Sequence, residues 1–393
     1  MRFLSLAFLS LAAYASAAPS GARGQKAGEA IKGQYIVTFK KADNLVPRNL
    51  DQLIDTVLTV PGSASLVKPA VLQKYDFGSS SLQGFAAKID DAAVLEQIKG
   101  HAEVESIEED QVVTIAGTQT TDAGLWGLDA IDGTRANTYN YPDAGGQGVT
   151  AYVIDTGCQT SHPEFGGRAT WGASFTGETS TTDGNGHGTH VSGTIGGRTY
   201  GVAKKVNIVC VRVLSASGSG SNSGVIAGVN WVAQQAKAKR TPAVANMSLG
   251  GGSSTALDQA VEALIASNVA LAVAAGNTAG FDACNGSPSR VRSAYTVAAS
   301  DTNNRFASFS SEGPCVDIIA PGVNIKSSWP TSSTNTISGT SMATPHVAGV
   351  LALAYSQQSF ASPAAAFSYL TSRSRSGLIT GVPSGTVNRF LRI

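Results

Sequence analysis

Charged residues are scarce in this chain. Asp, Glu, Lys and Arg make up 14% of its 393 residues, and 28 basic against 27 acidic side chains leave a formal net charge of +1. The chain therefore lacks the basic excess that would neutralise a nucleic-acid backbone, so we expect no nucleic-acid partner. The hydrophobic fraction of 42% is typical of a folded globular protein and excludes an intrinsically disordered polymer.

Long apolar runs are missing as well, apart from a short one near the N-terminus. Residues 3–13 are mainly apolar, follow the positive start Met1-Arg2, and precede small residues up to Ala17. A membrane-spanning helix needs about 20 apolar residues, whereas a charged start, a short apolar middle and a small-x-small site are typical of a secretory signal peptide. We predict a signal peptide at residues 1–17, a secreted, extracellular product and no membrane partner.

Residues 18–117 have the pattern of a small separate domain. Alternating apolar residues predict strands near 34–39, 85–89 and 104–108, and helical spacing predicts helices over 49–60 and 91–98. A β-α-β/β-α-β order of this size favours a ferredoxin-like α+β fold. The small, polar residues 116–121 that follow are expected to form an unstructured linker that a protease can cut.

Residues 118–393 have a different pattern, in which short apolar runs alternate with helix-like stretches. We expect buried strands at 149–154, 206–213, 243–247, 269–274 and 295–298, and helices at 187–195, 223–238, 255–267 and 344–357. Near-continuous apolar strands separated by helices predict an α/β domain whose mainly parallel sheet lies between helices. Functional side chains are then expected at the carboxyl ends of the strands.

Three segments of this region carry residues that suit chemistry. Asp155 ends a buried strand, His187 lies between glycines in the stretch Asp-Gly-Asn-Gly-His-Gly-Thr-His, and Ser341 lies at a helix start with Pro345 in the first turn. Each has a plainer interpretation, because Asp155 could cap a helix and Ser341 could be an ordinary N-cap. His187 and His190 could also bind a metal, but the sequence offers neither a third ligand nor the glutamate of H-E-x-x-H.

The order Asp, His, Ser is one of the known orders of the nucleophilic triad and is that of subtilisin. Further stretches match as well: Tyr-Gly-Val-Ala-Lys-Lys at 200–205, Ser-Leu-Gly-Gly at 248–251, Val-Ala-Ala-Gly-Asn at 273–277 and Gly-Thr-Ser-Met-Ala-Thr-Pro-His at 339–346. From about residue 126 to 390 the chain thus resembles a subtilisin-family serine protease, most closely its secreted, proteinase K-like fungal branch. Residues 34–110 resemble the inhibitory propeptide of that family.

The resemblance implies a three-layer subtilisin-like fold at 118–393, an inhibitory propeptide at 18–117, and a role for each site residue. Ser341 would attack the scissile carbonyl, His187 would move the proton, and Asp155 would orient the His187 ring. The side-chain amide of Asn277 and the backbone N–H of Ser341 would bind the oxyanion. The implied function is a secreted serine endopeptidase of broad specificity with an apolar or aromatic preference, made as a self-processing zymogen.

Substrate contacts are expected along two exposed backbone segments and one pocket wall. An extended peptide could pair with the segment around Gly218 on one side and with Ser248, Leu249 and Gly250 on the other. Ala274, Ala275 and Gly276 would form a wide, uncharged wall of the primary pocket. The expected partners are protein and peptide substrates and the chain's own propeptide as an intramolecular inhibitor, with the enzyme acting as a monomer.

Cysteine is limited to four residues, which allow three pairings. The resemblance implies a disulfide between Cys284 and Cys315, while Cys158 and Cys210 could either pair or remain two buried thiols. The resemblance also implies no cofactor for catalysis and one structural calcium ion, held by the carboxylate of Asp317 and the carbonyls of Arg292 and Ala294.

Two rival functions remain to be compared with the protease. An esterase-type hydrolase would have a G-x-S-x-G elbow, but residues 339–343 end in alanine and the triad order differs. A catalytically inactive binding protein would be expected to lack at least one of Asp155, His187, Asn277 and Ser341, and all four are present. A glycosylation pattern at 246–248 lies within the expected substrate strand, which makes Asn246 a poor acceptor.

Overall fold

The computed structural model describes residues 30–40, 49–59, 69–76, 83–111, 117–120 and 123–393. The predicted signal peptide lies outside the described residues. The chain divides into two compact units, Met1–Ile115 and Ala116–Ile393. Within the described residues, no helix is both long enough and apolar enough to cross a membrane.

The first unit is a four-stranded antiparallel sheet with two helices. Its elements are, in chain order, β1 (Ala30–Phe39), α1 (Leu50–Leu58), β2 (Ala70–Asp76), β3 (Gln83–Lys88), α2 (Ala92–Lys99) and β4 (Val104–Gln111). The sheet order β2-β3-β1-β4 with antiparallel neighbours confirms the ferredoxin-like prediction. Asn49 and Asp91 cap the two helices with their side chains. Strand β2, an edge strand with an irregular register, was not recognised as an element in the sequence.

The second unit is built on a nine-stranded sheet. Nine strands of the unit form this sheet, and the others form separate two-stranded pairs. The strands of the unit are β5 (Gly117–Thr120), β6 (Thr138–Tyr141), β7 (Thr150–Asp155), β8 (Ala169–Ser174), β9 (Asn207–Arg212), β10 (Ala243–Met247), β11 (Gly251–Gly252), β12 (Val269–Ala274), β13 (Gly286–Ser287), β14 (Tyr295–Ser300), β15 (Ile318–Pro321), β16 (Ile325–Trp329), β17 (Ser333–Ile337), β18 (Arg375–Ser376) and β19 (Arg389–Phe390). The order β18-β19-β15-β14-β12-β10-β7-β9-β8 contains only parallel pairs except β18–β19. The prediction of a mainly parallel sheet is confirmed.

Helices cover both faces of this sheet. They are α3 (Trp126–Asp132), α4 (His187–Gly196), α5 (Asn222–Lys239), α6 (Thr255–Ala266), α7 (Thr340–Gln357) and α8 (Pro363–Arg373). One buried cluster joins the sheet to α4 and α7, and a second joins its opposite face to α5 and α6. The three-layer architecture expected from the sequence is therefore present, with the ends of β7, β10 and β12 at one edge.

Two local expectations were wrong. Helix α7 begins at Thr340 rather than at residue 344, so Pro345 is its sixth residue and lies beyond the first turn. Residues 117–120 are not an unstructured linker, because they form β5 and pair antiparallel with β6. Strands β5 and β6 are rich in threonine and tyrosine, residues that favour strands.

Two disulfides tie the second unit together. Cys284 is bonded to Cys315, and Cys158, three residues after the end of β7, is bonded to Cys210 in β9. The sequence left the second pair open between a disulfide and two thiols, and β7 and β9 are neighbouring parallel strands that bring the two cysteines together.

Candidate active site

The last residue of β7 and the first residue of α4 form the central contact of the site. Asp155 is fully buried, and its Oδ1 accepts hydrogen bonds from Nδ1 of His187 at 2.8 Å and from the backbone N–H of Thr156 at 2.7 Å. A carboxylate buried in this way needs an interaction partner, because an isolated buried charge is strongly unfavourable. The imidazole of His187 provides it, and its Nδ1 is thereby fixed as the bonded nitrogen.

The carboxylates around His187 change its acidity. Burial of the ring by itself lowers the pKa of His187, but Asp155 raises it through its charge and its hydrogen bond, and Asp183 raises it further. The net result is a pKa above the ordinary value of 6.5. The ring is therefore easier to protonate than a free imidazole, as a group that receives a proton requires.

The start of α4 is held by a buried carboxylate that the sequence did not single out. Oδ1 of Asp183 accepts from the backbone N–H groups of Asn185 and Gly186 and from Oγ1 of Thr156, while Oδ2 accepts from the N–H and hydroxyl of Thr189. Oγ1 of Thr156 in turn accepts from the N–H of Gly188. Asp183 thus connects the turn before His187 to the end of β7.

The glycines on both sides of His187 are required by close packing. A β-carbon on Gly186 would lie 2.4 Å from the ring of Trp329, and one on Gly188 would lie 2.0 Å from the carbonyl oxygen of Gly157. Gly186 also has a φ of 108°, a left-handed conformation that favours glycine. The groups that approach these glycines are the backbone of Gly157 and the side chain of Trp329.

His190 has a separate, structural position. It is completely buried, and its Nε2 bonds the carbonyl oxygen of Ile325 at 2.9 Å. Burial lowers the pKa of His190 to about 4. His190 is therefore a neutral core residue and is not directed at a site shared with His187.

Ser341 lies in the first turn of α7, beside the end of β10. Its Oγ donates to the carbonyl oxygen of Ser248 at 3.2 Å, and Oγ of Ser248 donates to the carbonyl oxygen of Ser341 at 2.8 Å. The nucleophile candidate is thus bonded twice to the residue that directly follows β10. The N-terminal end of α7 adds backbone N–H groups and a favourable dipole for negative charge.

Asn277 faces the same space as the backbone of Ser341. Its Oδ1 accepts from the N–H and from Oγ1 of Thr340, so its Nδ2 points away from these bonds. A β-carbon on Gly339 would lie 3.4 Å from Nδ2 of Asn277 and 3.6 Å from the backbone nitrogen of Ser341. Because Gly339 has no side chain, the space next to both donors stays open.

Two adjoining cavities contain the predicted substrate residues. The first, of about 510 Å³, is lined by Ala274, Ala275, Gly276, Asn277 and Ser341 among others. The second, of about 430 Å³, is lined by His187, Gly218 and Ser248 among others. Leu249 and Gly250 line both cavities. Phe281, which the sequence analysis did not identify, lines the first cavity and is 38% exposed.

The loop that carries Gly218 is held in place by a buried guanidinium. Arg212, at the end of β9, is 1% exposed and donates to the carbonyl oxygens of Thr156 and Thr182 and to a carboxylate oxygen of Glu178. The other carboxylate oxygen of Glu178 accepts from the backbone N–H of Ala216, and Nδ2 of Asn185 donates to the carbonyl oxygen of Ala216. Ala216 is therefore fixed through both of its backbone polar groups.

The residues expected to hold calcium lie apart from these cavities. Oδ2 of Asp317 accepts from the N–H of Thr296, and burial raises the pKa of Asp317 to about 6. The guanidinium of Arg292 donates to the carbonyl oxygen of Pro314. One partly buried carboxylate together with backbone carbonyls is a donor set of the type that calcium accepts. Among the described residues, no three or more His, Cys, Asp or Glu side chains are grouped to hold a metal ion.

Known proteins resemble this chain in sequence. Residues 146–385 match the family model of the subtilase family, and residues 34–116 match that of peptidase inhibitor I9. A cuticle-degrading protease of Metarhizium anisopliae is 45% identical over 91% of this chain and 89% of that protein. Proteinase T of Parengyodontium album is 47% identical over 72% of this chain and 97% of that protein.

A solved structure agrees with these sequence relatives. The crystal structure of a cold adapted subtilisin-like serine proteinase matches with a TM-score of 0.66 and 52% identity, and the match covers 69% of this chain and 98% of that one. The resemblance drawn from the sequence motifs is confirmed. The chain belongs to the subtilase family and is a subtilisin-like serine protease with an I9 inhibitor segment at its N-terminal side.

Proposed function

We propose that Ser341, His187 and Asp155 are the catalytic residues and that Asn277 binds the oxyanion. The observation that carries this proposal is the hydrogen bond of 2.8 Å between Nδ1 of His187 and Oδ1 of Asp155. A ring bonded in this way has its Nε2 free to act as a base, because Nδ1 keeps its proton on the side of the carboxylate.

Peptide-bond hydrolysis then proceeds in two stages. Oγ of Ser341 leaves its bond to Ser248 and attacks the scissile carbonyl carbon, while its proton passes to Nε2 of His187. The carbonyl oxygen gains the electron pair of the C=O bond, and Nδ2 of Asn277 and the N–H of Ser341 stabilise its charge. Collapse of this intermediate breaks the C–N bond, and His187 gives its proton to the leaving amine. Water repeats the sequence on the acyl-enzyme and releases Ser341.

We propose broad specificity with a preference for apolar and aromatic side chains in the first cavity. Ala274 and Ala275 have small side chains, Gly276 has none, and Phe281 offers an aromatic surface. Among the described residues, none that lines this cavity is charged, so nothing there would recruit Arg or Lys. The backbone of Ser248, Leu249 and Gly250 on one side and of Gly218 on the other would pair with an extended peptide.

We further propose that the protein is secreted as an inactive precursor and acts as a monomer. The precursor would consist of the signal peptide at 1–17, an inhibitory propeptide at 18–117 and the peptidase domain at 118–393. The match of residues 34–116 to a peptidase inhibitor supports the inhibitory role. Relatives in Metarhizium anisopliae and Arthrobotrys oligospora are cuticle-degrading proteases, and this similarity supports secretion.

We also propose a structural calcium ion held by Asp317 and the carbonyls of Arg292 and Ala294. Bound to the native state alone, the ion would stabilise it by mass action and would take no part in bond breaking. Chelation should lower the melting temperature and speed autolysis but leave initial rates unchanged. Loss of initial rates while the fold stayed intact would contradict the proposal.

A peptide library tests the proposed catalytic residues and specificity together. The mature enzyme is incubated with a mixed library, with and without a serine-directed phosphonate, beside the Ser341→Ala variant. We expect internal cleavage after apolar and aromatic residues, complete loss with phosphonate, and a phosphonate adduct on Ser341 by mass spectrometry. Near-normal cleavage by Ser341→Ala would overturn the mechanism.

A further inference from the structure

Asn246 is an exception within a buried strand. It lies in β10, whose other residues are Ala243, Val244, Ala245 and Met247, and it is 0% exposed. Its neighbours across the sheet are Val153 and Ala272, both buried. Nδ2 donates to Oγ of Ser248 at 2.9 Å, but Oδ1 has no hydrogen-bond partner in the part of the chain that the structure describes. A buried, half-satisfied amide costs stability.

The carbonyl of Ser341 is an unusual acceptor for a different reason. In a helix, the carbonyl of residue 341 would accept from the N–H of residue 345. Residue 345 is proline, which has no N–H. Oγ of Ser248 donates to this carbonyl at 2.8 Å and so takes the place of the missing helical bond.

These two features meet in one chain of hydrogen bonds. Nδ2 of Asn246 donates to Oγ of Ser248, and that hydroxyl donates to the carbonyl oxygen of Ser341. Because the amide occupies the acceptor side of the Ser248 hydroxyl, it directs the single hydroxyl proton toward Ser341. The same residue, Ser248, accepts the bond from Oγ of Ser341.

We propose that Asn246 is a positioning residue that fixes the backbone of Ser341 through the hydroxyl of Ser248. The proposal rests on the assignment of Ser341 as the nucleophile. The buried amide serves the reaction rather than the fold, since an apolar side chain would suit this strand better. Asn246 does not touch the substrate, so its effect should appear in the rate of attack by Ser341 and not in substrate affinity.

The test replaces the amide with an apolar side chain of similar size in the full-length chain. Asn246→Leu should retain the wild-type melting temperature or exceed it, while kcat falls roughly tenfold with little change in KM. The rate of Ser341 modification by a serine-directed phosphonate should fall by the same factor. Intact-mass spectrometry separates each variant from any wild-type enzyme used to mature it.

Two further variants distinguish positioning from a structural role. Ser248→Ala removes the hydroxyl in the middle of the hydrogen-bond chain, at a buried residue that follows β10, and should lower the phosphonate rate similarly. The double variant should be no slower than Ser248→Ala alone. Tyr152→Phe removes a buried hydroxyl of the adjacent strand β7 that has no hydrogen-bond partner among the described residues. This variant should leave kcat and the phosphonate rate unchanged.

Several results would overturn the proposal. One is a wild-type phosphonate rate in a folded Asn246→Leu variant, and another is additive losses in the double variant. A third is a wild-type phosphonate rate in Ser248→Ala, which would overturn the proposal even if Asn246→Leu did not fold. Failure of the phosphonate to label Ser341 in the wild-type enzyme would instead overturn the assignment of the nucleophile.

Discussion

The side-chain oxygen of Asn277 accepts two hydrogen bonds from Thr340, one from its N–H at 2.8 Å and one from its hydroxyl at 2.9 Å. If the amide turned over, its NH2 group would face the N–H of Thr340, so Nδ2 stays on the other side, where it and the backbone nitrogen of Ser341 both border the open space at Gly339. The hydroxyl of Thr340 also accepts from the N–H of Gly276. Thr340, the residue before the proposed nucleophile, thus holds the amide of the proposed oxyanion donor in place.

Replacing Asn277 tests this arrangement. In Asn277→Leu, kcat should fall by about 10²–10³, the loss observed when such a donor is removed from subtilisin, a member of the same family. KM should change little, because the donor acts on charge that develops only in the transition state. The measurement is steady-state kinetics on a peptide substrate, with thermal unfolding to check the fold.

Thr340→Val provides the graded control. It keeps the backbone N–H that bonds Asn277 but removes the hydroxyl, so the amide loses one of its two supports. We expect a loss in kcat that is smaller than that of Asn277→Leu. Equal losses in both variants, or wild-type kcat in Asn277→Leu, would contradict the assigned role of the amide.

The pH dependence of catalysis should follow His187. The reaction requires the neutral ring, and the carboxylates of Asp155 and Asp183 raise the pKa of His187 above 6.5. A raised pKa keeps the ring protonated to higher pH, so the acid limb of kcat/KM should have its midpoint above 6.5. The rate of phosphonate modification should show the same midpoint, which excludes ionisation of the substrate. A midpoint at or below 6.5 would be inconsistent with this environment.

The triad should behave as one unit in mutagenesis. Ser341 and His187 act on one proton-transfer path, so Ser341→Ala should reduce turnover by orders of magnitude, and adding His187→Ala should cost little more. Active-site titration before each assay guards against traces of wild-type enzyme. Losses that multiply in the double variant would mean that the two residues act independently.

How far the sequence predicts this site depends on the range of the interactions. Asp155, His187 and Ser341 were identified because each lies in a local motif with a clear chemical type at the end of a strand or the start of a helix. The parallel sheet followed from apolar runs, since β10 and β12 have no polar residue except Asn246. These signals are contained within a few neighbouring residues.

What the sequence missed depends on contacts between distant segments. Asp183 bonds Thr156 and Thr189, Arg212 reaches the loop of Glu178, and β5 pairs with β6, none of which has a local signature. The start of α7 was placed four residues late because Pro345 usually marks a first turn. Here the hydroxyl of Ser248 replaces the bond that the proline removes, so the helix continues through it.

Glu178 should affect substrate binding through the loop that it holds. Its carboxylate joins buried Arg212 to the N–H of Ala216, next to the segment that carries Gly218. In Glu178→Gln, the charge that neutralises Arg212 is lost and the loop loosens, so KM should rise several-fold while kcat stays near the wild-type value. The control is Thr182→Ala, in the loop that contains Glu178. It should leave KM unchanged, because Arg212 bonds only the backbone carbonyl of Thr182. A rise in KM in both variants would show a general effect of the loop.

The last prediction concerns maturation. Strand β5 pairs with β6 through four residue pairs, from Gly117–Tyr141 to Thr120–Thr138, and so belongs to the peptidase unit. The expected tail of the propeptide is residues 112–117, of which residues 112–116 lie outside the described residues. If the enzyme cuts its own linker between about residues 115 and 121, a cut after Gly117, at the proposed domain boundary, leaves three of the four β5–β6 pairs in the mature enzyme. The mature N-terminus should therefore lie at or next to Thr118.

N-terminal sequencing of the secreted enzyme measures this position. The Ser341→Ala precursor tests whether the enzyme itself makes the cut. The precursor should remain uncut when purified, whereas one that still matures would disprove self-cleavage.

The parallel sheet is built from non-local contacts, whose loop-closure entropy makes folding slow, so a small preformed domain can act as a template. Residues 119–393 expressed alone should therefore fold poorly and recover when residues 18–117 are added in trans. Efficient folding without them would refute the template role, and a mature N-terminus after Thr120 would show that β5 leaves with the propeptide.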